Sequence, residues 1–160
     1  TIFKQMKILY GADGGYGAKE KEQAKSYIFS NIFTNMKTVI ENTANFTAMA
    51  DQSAADEFLK LASGDDDSAP VVDATVGELV KKIWADAGFE ATWKERANFQ
   101  VQDALKYYVE NIDRVSAGDY VPTEADILRS RVRTTGIQEE TYFIDGIEFV
   151  MFDVGGQRNE

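Results

Sequence analysis

The most regular pattern of apolar and polar positions lies in the first third of the chain. No proline or glycine occurs between Ala18 and Phe46. Within that stretch, lysines and glutamates separate apolar side chains that recur every three or four residues, at Ile28, Ile32, Met36 and Val39. Apolar residues at this spacing form one stripe along an α-helix. The pattern therefore predicts a long amphipathic helix with one buried side.

Shorter helices are predicted before and after the long one. Residues 11–17 combine several glycines with an aspartate, a composition that favours a turn and ends a short first helix. After the long helix, apolar residues at helical spacing predict four more helices, at residues 53–61, 75–87, 90–98 and 101–115. The chain is therefore expected to be mainly α, with about six helices.

Local signals predict where some of these helices begin and end. Ser53 is the predicted cap of the helix that starts there, and Gly88 has the position of a C-terminal stop. Thr123 and Asp126 have capping-box spacing directly after Pro122, so a last short helix is expected to begin at this point.

The pattern changes to β-type near the end of the chain. Two runs rich in β-branched and aromatic residues, 142–144 and 147–152, are separated by Asp145-Gly146. An Asp-Gly pair between two such runs is a strong hairpin signal. Two strands are too few for a stable sheet, so the rest of the sheet is expected to lie outside this chain.

Composition excludes several kinds of chemistry. The 160 residues include no cysteine and no histidine, which rules out a disulfide framework, a thiolate nucleophile, a Ser-His-Asp triad and a His/Cys zinc site. Seventeen basic and 27 acidic side chains give a net charge of −10, which argues against nucleic acid as a partner. The charge is uneven, because residues 51–90 are strongly acidic while arginines cluster at 129–133.

Two short segments carry candidate chemistry. Asp153-Val154-Gly155-Gly156-Gln157 follows an apolar strand, where an aspartate can hold magnesium through water and paired glycines let backbone amides approach a phosphate. Residues 128–136 bring together three arginines, which suit phosphoryl charge, and threonine hydroxyls, which suit magnesium. Taken singly, these segments are a tight turn and a solvated basic loop. Their occurrence on both sides of one hairpin favours a nucleotide switch.

Three stretches carry a resemblance to a known family. Residues 1–9, 129–137 and 151–160 resemble the α subunit of heterotrimeric G proteins. Between them, the chain resembles the family's helical insertion at residues 83–86, 102–103, 107–108, 112–114 and 120–123. The likeness implies three segments: the end of the first helix of a Ras-like domain in 1–13, an all-α helical domain in 14–128, and switch I, a hairpin and the start of switch II in 129–160. The hairpin would thus belong to an incomplete Ras-like α/β GTPase domain.

The resemblance also implies catalytic and metal-binding roles. Arg131 would be the arginine finger supplied in cis, and Gln157 would position the hydrolytic water. Thr134 would coordinate Mg2+ and Asp153 would hold it through water. Gly156 would offer its amide to the γ-phosphate.

Further positions would contact the nucleotide. Thr1 would meet the α-phosphate, and Asp103 on the helical domain would line the nucleotide. Ala104 occupies a position where many members of the family have serine. The implied nucleotide-binding set is Thr1, Asp103, Ala104, Leu128, Arg129, Ser130, Arg131, Thr134, Asp153, Val154, Gly155, Gly156 and Gln157.

The implied function is a GTP-hydrolysing switch in receptor signalling, with GTP as substrate, GDP as product and Mg2+ as cofactor. The expected partners are the βγ dimer, a G protein-coupled receptor, RGS-type regulators and effectors, and no nucleic acid. The expected location is the cytoplasmic face of the plasma membrane, reached through parts absent from this chain. The helical domain would act as a lid that slows nucleotide exchange.

The chain departs from the family pattern in two places. It contains no G-x-x-x-x-G-K-[ST] phosphate loop and no Asn-Lys-x-Asp guanine-reading motif, so we expect a partial sequence that binds GTP negligibly alone. Two alternatives stay open. One is an Arf-like small GTPase, which shares the Thr-Thr-Gly and Asp-Val-Gly-Gly-Gln motifs but lacks the helical insertion. The other is a non-catalytic helical interaction module that keeps the family motifs.

Overall fold

A computed structural model describes residues 2–11, 15–63, 70–132 and 137–154. The chain forms two compact units. One, here called the helical unit, is Ile28–Val121, and the other, here called the hairpin unit, is Thr1–Tyr27 with Pro122–Glu160. The described residues are mainly helical with one antiparallel hairpin, which confirms the predicted fold class.

The described residues form eight α-helices, one 3₁₀-helix and two strands. The α-helices are α1 (Ile2–Tyr10), α2 (Ala18–Thr43), α3 (Gln52–Ala62), α4 (Ala74–Trp84), α5 (Ala87–Lys94), α6 (Ala104–Glu110), α7 (Ile112–Val115) and α8 (Glu124–Arg129). The 3₁₀-helix is Arg96–Asn98, and the strands are β1 (Ile137–Ile144) and β2 (Ile147–Val154).

The core of the helical unit is built on the predicted apolar stripe of α2. Ile28, Ile32, Met36 and Val39 are all fully buried. Side chains from the shorter helices pack around that stripe, among them Phe58, Val80, Ile83, Phe89, Leu105, Tyr108, Ile112 and Val115. No helix in the described part of the chain is long and apolar enough to cross a membrane.

Two predicted helix ends are wrong, and aspartates explain both. Asp51, rather than Ser53, caps α3, because its carboxylate accepts the Ala54 amide at 3.2 Å while the Ser53 hydroxyl donates to that same carboxylate. Asp86 caps α5, so α4 stops at Trp84 and Gly88 lies inside the next helix. A Cβ at Gly88 would overlap the Ala48 carbonyl oxygen, so glycine here permits a close approach of two backbone segments.

The helix predicted at 101–115 is also wrong in its extent. It begins only at Ala104, and it breaks at Asn111 into α6 and α7. The Asn111 side chain donates to the Tyr107 carbonyl oxygen at 2.9 Å. Asparagine competes in this way with the regular backbone hydrogen bonds of a helix.

The hairpin has the predicted turn. Asp145 and Gly146 both have positive φ, of 52° and 77°, which is the conformation that a two-residue type I′ turn requires. The strands pair from Ile144 opposite Ile147 to Ile137 opposite Val154. Tyr142 is the one side chain of the described strands that is buried.

Candidate functional site

Helix α8 ends two residues before the candidate catalytic residue Arg131, and hydrogen bonds fix the first turn of this helix. The Thr123 hydroxyl accepts the Asp126 amide at 3.3 Å, and the Asp126 carboxylate accepts the Thr123 amide at 2.8 Å. This reciprocal pair is the predicted capping box, and Asp126 is fully buried. The start of α8 is therefore fixed by local sequence.

The end of α8 is held by Ser130. Its backbone N–H donates to the carbonyl oxygens of Asp126 and Ile127 at 3.0 and 3.2 Å. Its hydroxyl donates to the same Ile127 carbonyl oxygen at 2.8 Å. Ser130 is 7% exposed and has extended backbone angles, so the chain leaves the helix at this residue. Arg131 follows it at once, with an exposed side chain.

The two residues before Ser130 differ in their surroundings. Leu128 is half-buried. Arg129 is exposed, and its guanidinium donates to the Ala125 carbonyl oxygen at 3.2 Å. The Arg129 side chain thus contacts its own helix, one turn toward the N-terminus.

Lys4 of α1 is a site residue that sequence reasoning missed. Its ammonium lies 2.8 Å from the Ile127 carbonyl oxygen, 2.5 Å from the Ser130 carbonyl oxygen and 3.0 Å from the Ser130 hydroxyl. Partial burial lowers the pKa of Lys4 from its ordinary value. Nothing in the spacing of α1 distinguishes this lysine, because the contact depends on how α1 packs on α8.

Lys7, one turn further along α1, makes a separate set of contacts. Its ammonium lies 2.5 Å from a Glu20 carboxylate oxygen and 3.6 Å from a Glu140 carboxylate oxygen, and it faces the Tyr16 ring at 5.5 Å. Burial alone would lower the pKa of Lys7, but the bond and charge of Glu20 outweigh it and raise that pKa. Lys7 therefore links α1 to the start of α2 and to β1.

The hairpin register places the candidate metal-holding carboxylate. Asp153 lies near the end of β2, half-buried and opposite Gln138, while Val154 is exposed and lies opposite Ile137, the first residue of β1. Residues 133–136, which include the predicted ligand Thr134, directly precede β1 in sequence. The antiparallel pairing therefore places Asp153 at the end of the hairpin where β1 begins. This end directly follows the arginine segment, residues 128–136, in sequence.

The donor chemistry at this end suits magnesium. A threonine hydroxyl and one aspartate are hard oxygen ligands, and Mg2+ commonly uses one or two protein ligands together with water and substrate phosphates. Within residues 2–11, 15–63, 70–132 and 137–154, no group of three or more carboxylate-type ligands could hold a metal ion.

Two predicted contacts lie in the helical unit. Asp103 precedes α6, but its carboxylate makes no cap hydrogen bond and instead pairs with Arg96 at 3.3 Å, leaving the side chain 91% exposed. Ala104 begins α6 and packs partly against the core. The preceding loop is held by the buried Asn35 of α2, whose side-chain oxygen accepts the Gln102 amide at 2.8 Å. Sequence reasoning did not single out Asn35; the signal that could have found it is an asparagine between Ile32 and Met36, on the predicted buried side of the helix.

Five predicted site residues lie outside the described part of the chain, namely Thr1, Thr134, Gly155, Gly156 and Gln157. Their roles, and the nucleotide contacts assigned to the described residues, stay predictions.

Comparison with known proteins gives a consistent result. A family model described as G-protein alpha subunit matches residues 1–160. Fungal relatives align over the whole chain: "Guanine nucleotide-binding protein subunit alpha" of Cochliobolus heterostrophus is 39% identical, its counterpart in Emericella nidulans 38%, and the "alpha-1 subunit" of Neurospora crassa 39%. The chain spans 45% of the length of each of these relatives.

Proposed function

The chain belongs to the G-protein alpha subunit family, and from that premise we propose that it is part of a switch that binds GTP and hydrolyses it to GDP and phosphate. The hairpin unit supplies the residues that act on the γ-phosphate. The helical unit limits the exchange of the bound nucleotide.

One observation supports this proposal most directly, the register of the hairpin. Asp153, near the end of β2, pairs with Gln138, the second residue of β1. The arginine segment lies immediately before β1 in sequence, and the Gly-Gly-Gln segment immediately after β2. Phosphoryl transfer needs positive charge, a metal-holding carboxylate and a water-orienting group around the same phosphate. The proposal is supported because the first residue of β1 and the last residue of β2, which adjoin these segments in sequence, pair with each other at one end of the hairpin.

The residues act by charge and by orientation. Arg131 neutralises the charge that develops on the transferring γ-phosphoryl group, and Gln157 aligns the attacking water in line with the leaving oxygen. Gly156 donates its backbone N–H to the γ-phosphate. The contacts of Ser130 with α8 and with Lys4 fix the backbone from which Arg131 extends.

Magnesium fits the donor set of Thr134 and Asp153. When bound, Mg2+ supplies positive charge that stabilises the phosphate oxygens. Thr134 would offer a neutral hydroxyl oxygen as a ligand. Asp153 would hold the ion through a water molecule. Loss of the threonine contact would let the switch segment relax after hydrolysis.

The proposal extends to partners and location. A switch of this type would pair with a βγ dimer, respond to a G protein-coupled receptor, and meet RGS-type regulators and effectors at the cytoplasmic face of the plasma membrane. The support for this is family membership.

Single-turnover hydrolysis of bound GTP by the full-length protein that contains this chain tests the proposal. Arg131→Ala should slow hydrolysis by about a hundredfold, because one preorganised charge at the transition state is lost. Arg114→Ala is the matched control. Arg114 stacks on Tyr120 in the helical unit at 5.6 Å, so its loss removes the same charge and should leave the rate of hydrolysis per bound GTP unchanged. Equal rates for wild type and Arg131→Ala would overturn the proposal.

A further inference from the structure

We propose that Lys4 is a positioning residue for Arg131, which it holds by anchoring the peptide group between Ser130 and Arg131. The inference rests on the proposed function, because it assigns Arg131 the role given above. The observation behind it is the set of three contacts made by one ammonium group at the end of α8.

The three contacts use the full donor capacity of the lysine. An ammonium has three N–H donors, and Lys4 meets three oxygens, two of them backbone carbonyls at 2.8 and 2.5 Å. The last carbonyls of an α-helix have no partner within the helix, and a cation there satisfies them while complementing the helix dipole. The ammonium thus holds the end of α8 at one point.

The shortest contact controls the next residue. The Ser130 carbonyl oxygen belongs to the same planar peptide unit as the Arg131 amide, so a fixed oxygen also fixes the plane from which Arg131 departs. Arg131 itself is exposed and belongs to neither α8 nor β1. The anchor at Ser130 is therefore one peptide unit away from Arg131 along the backbone.

The position of Lys4 gives the anchor a functional meaning. Lys4 lies on α1, three residues after Thr1, which the resemblance assigns to the α-phosphate. A helix that joins Thr1 to the Arg131 backbone would keep the arginine in register with the phosphates. A displacement of about 1 Å at a reacting group can cost roughly a hundredfold in rate, so such an anchor can matter for catalysis without touching the nucleotide.

Lys7 provides a matched control on the same helix. Both lysines are half-buried on α1, and each neutral substitution removes one positive charge. Lys7 contacts Glu20 and Glu140 rather than α8. A general effect of weakening α1 should appear in both variants, whereas an effect on Arg131 should appear only at Lys4.

A double-mutant cycle in the full-length protein tests the inference. Single-turnover hydrolysis of bound GTP is measured for wild type, Lys4→Met, Arg131→Ala, the double variant and Lys7→Met. Lys4→Met should slow hydrolysis about tenfold, the double variant should match Arg131→Ala within about twofold, and Lys7→Met should stay within about twofold of wild type. If Lys4→Met does not retain GTP, Lys4→Arg replaces it. The planar fork of arginine cannot place one nitrogen on all three oxygens, so a slowing of about threefold is expected, again absent in the Arg131→Ala background.

The outcomes separate this inference from the function on which it rests. If Arg131→Ala hydrolyses GTP at the wild-type rate, the proposed function fails. If Arg131→Ala is slow but Lys4→Met is as fast as wild type, the positioning role fails. It also fails if Lys4→Met slows hydrolysis by the same factor with and without Arg131.

Discussion

The two units differ in what they do with their apolar side chains. The helical unit buries Ile28, Ile32, Met36 and Phe58 completely. In the hairpin unit, large apolar side chains on both strands are exposed, and Phe143 is 69% exposed. The exposed fraction is similar for Ile137, Ile147, Phe152 and Val154. A two-stranded sheet is marginal in water without further packing. The difference indicates that the described residues of the helical unit form a packed core of their own, whereas the hairpin strands leave most of their apolar side chains exposed.

The largest expected contrast is between two phenylalanines. Phe58→Ala should lower the free energy of unfolding of the helical unit by about 3–5 kcal/mol, because Phe58 is fully buried and stacks on Phe33 at 5.1 Å. Phe143→Ala should change the free energy of unfolding of the helical unit by less than about 0.5 kcal/mol. Urea unfolding followed by tryptophan fluorescence measures this, since both tryptophans of the chain, Trp84 and Trp93, lie in the helical unit.

Equal effects of the two substitutions would contradict this difference between the units. They would mean that the helical unit gains as much stability from the hairpin as from its own core. A two-step transition, with the fluorescence change separate from loss of the hairpin, would show that the two units unfold independently.

A smaller contrast is expected between two aspartates. Asp86 is 7% exposed, and its carboxylate accepts the amides of Asp51, Gly88 and Phe89 at 2.8, 2.8 and 3.3 Å. Asp86→Asn should cost about 1–3 kcal/mol, because it replaces a charged acceptor by an amide that has one oxygen. Asp145→Asn at the hairpin turn should be near neutral, since asparagine tolerates the positive φ there.

The same aspartate predicts how stability depends on pH. Burial alone would raise the pKa of Asp86, but the backbone N–H donors outweigh it and hold the pKa below its ordinary value of 3.8. A lowered pKa in the folded state means that the stabilisation is complete above the ordinary value and is lost as the pH falls through the folded value. Urea midpoints at a series of pH values should fall below about pH 4, and less steeply for Asp86→Asn. An equally steep fall in both proteins would contradict this role.

The sequence predicted the elements whose signals are local. The apolar stripe of α2, the capping box of Thr123 and Asp126, and the Asp-Gly turn of the hairpin were all confirmed. Each depends on residues a few positions apart, so each can be recognised without knowing the rest of the fold.

Features that depend on distant contacts could not be predicted in this way. Asp86 caps α5 and also accepts the Asp51 amide, 35 residues earlier in the chain. Because of these contacts α4 ends at Trp84, before the stop that Gly88 predicted. Lys4 meets Ser130 across 126 positions of sequence. The arginine segment was predicted as a candidate site from residue type and family resemblance, but the lysine that anchors it becomes visible only once α1 packs on α8.

The proposed division of labour assigns the chemistry to the hairpin unit and the control of nucleotide exchange to the helical domain expected at residues 14–128. Release of bound GDP from the full-length protein is measured with and without residues 14–128, which a short Gly/Ser linker replaces. The deletion should speed GDP release by at least about tenfold, because the lid over the nucleotide is lost. An unchanged rate of GDP release, with nucleotide still bound, would show that the helical domain does not control exchange.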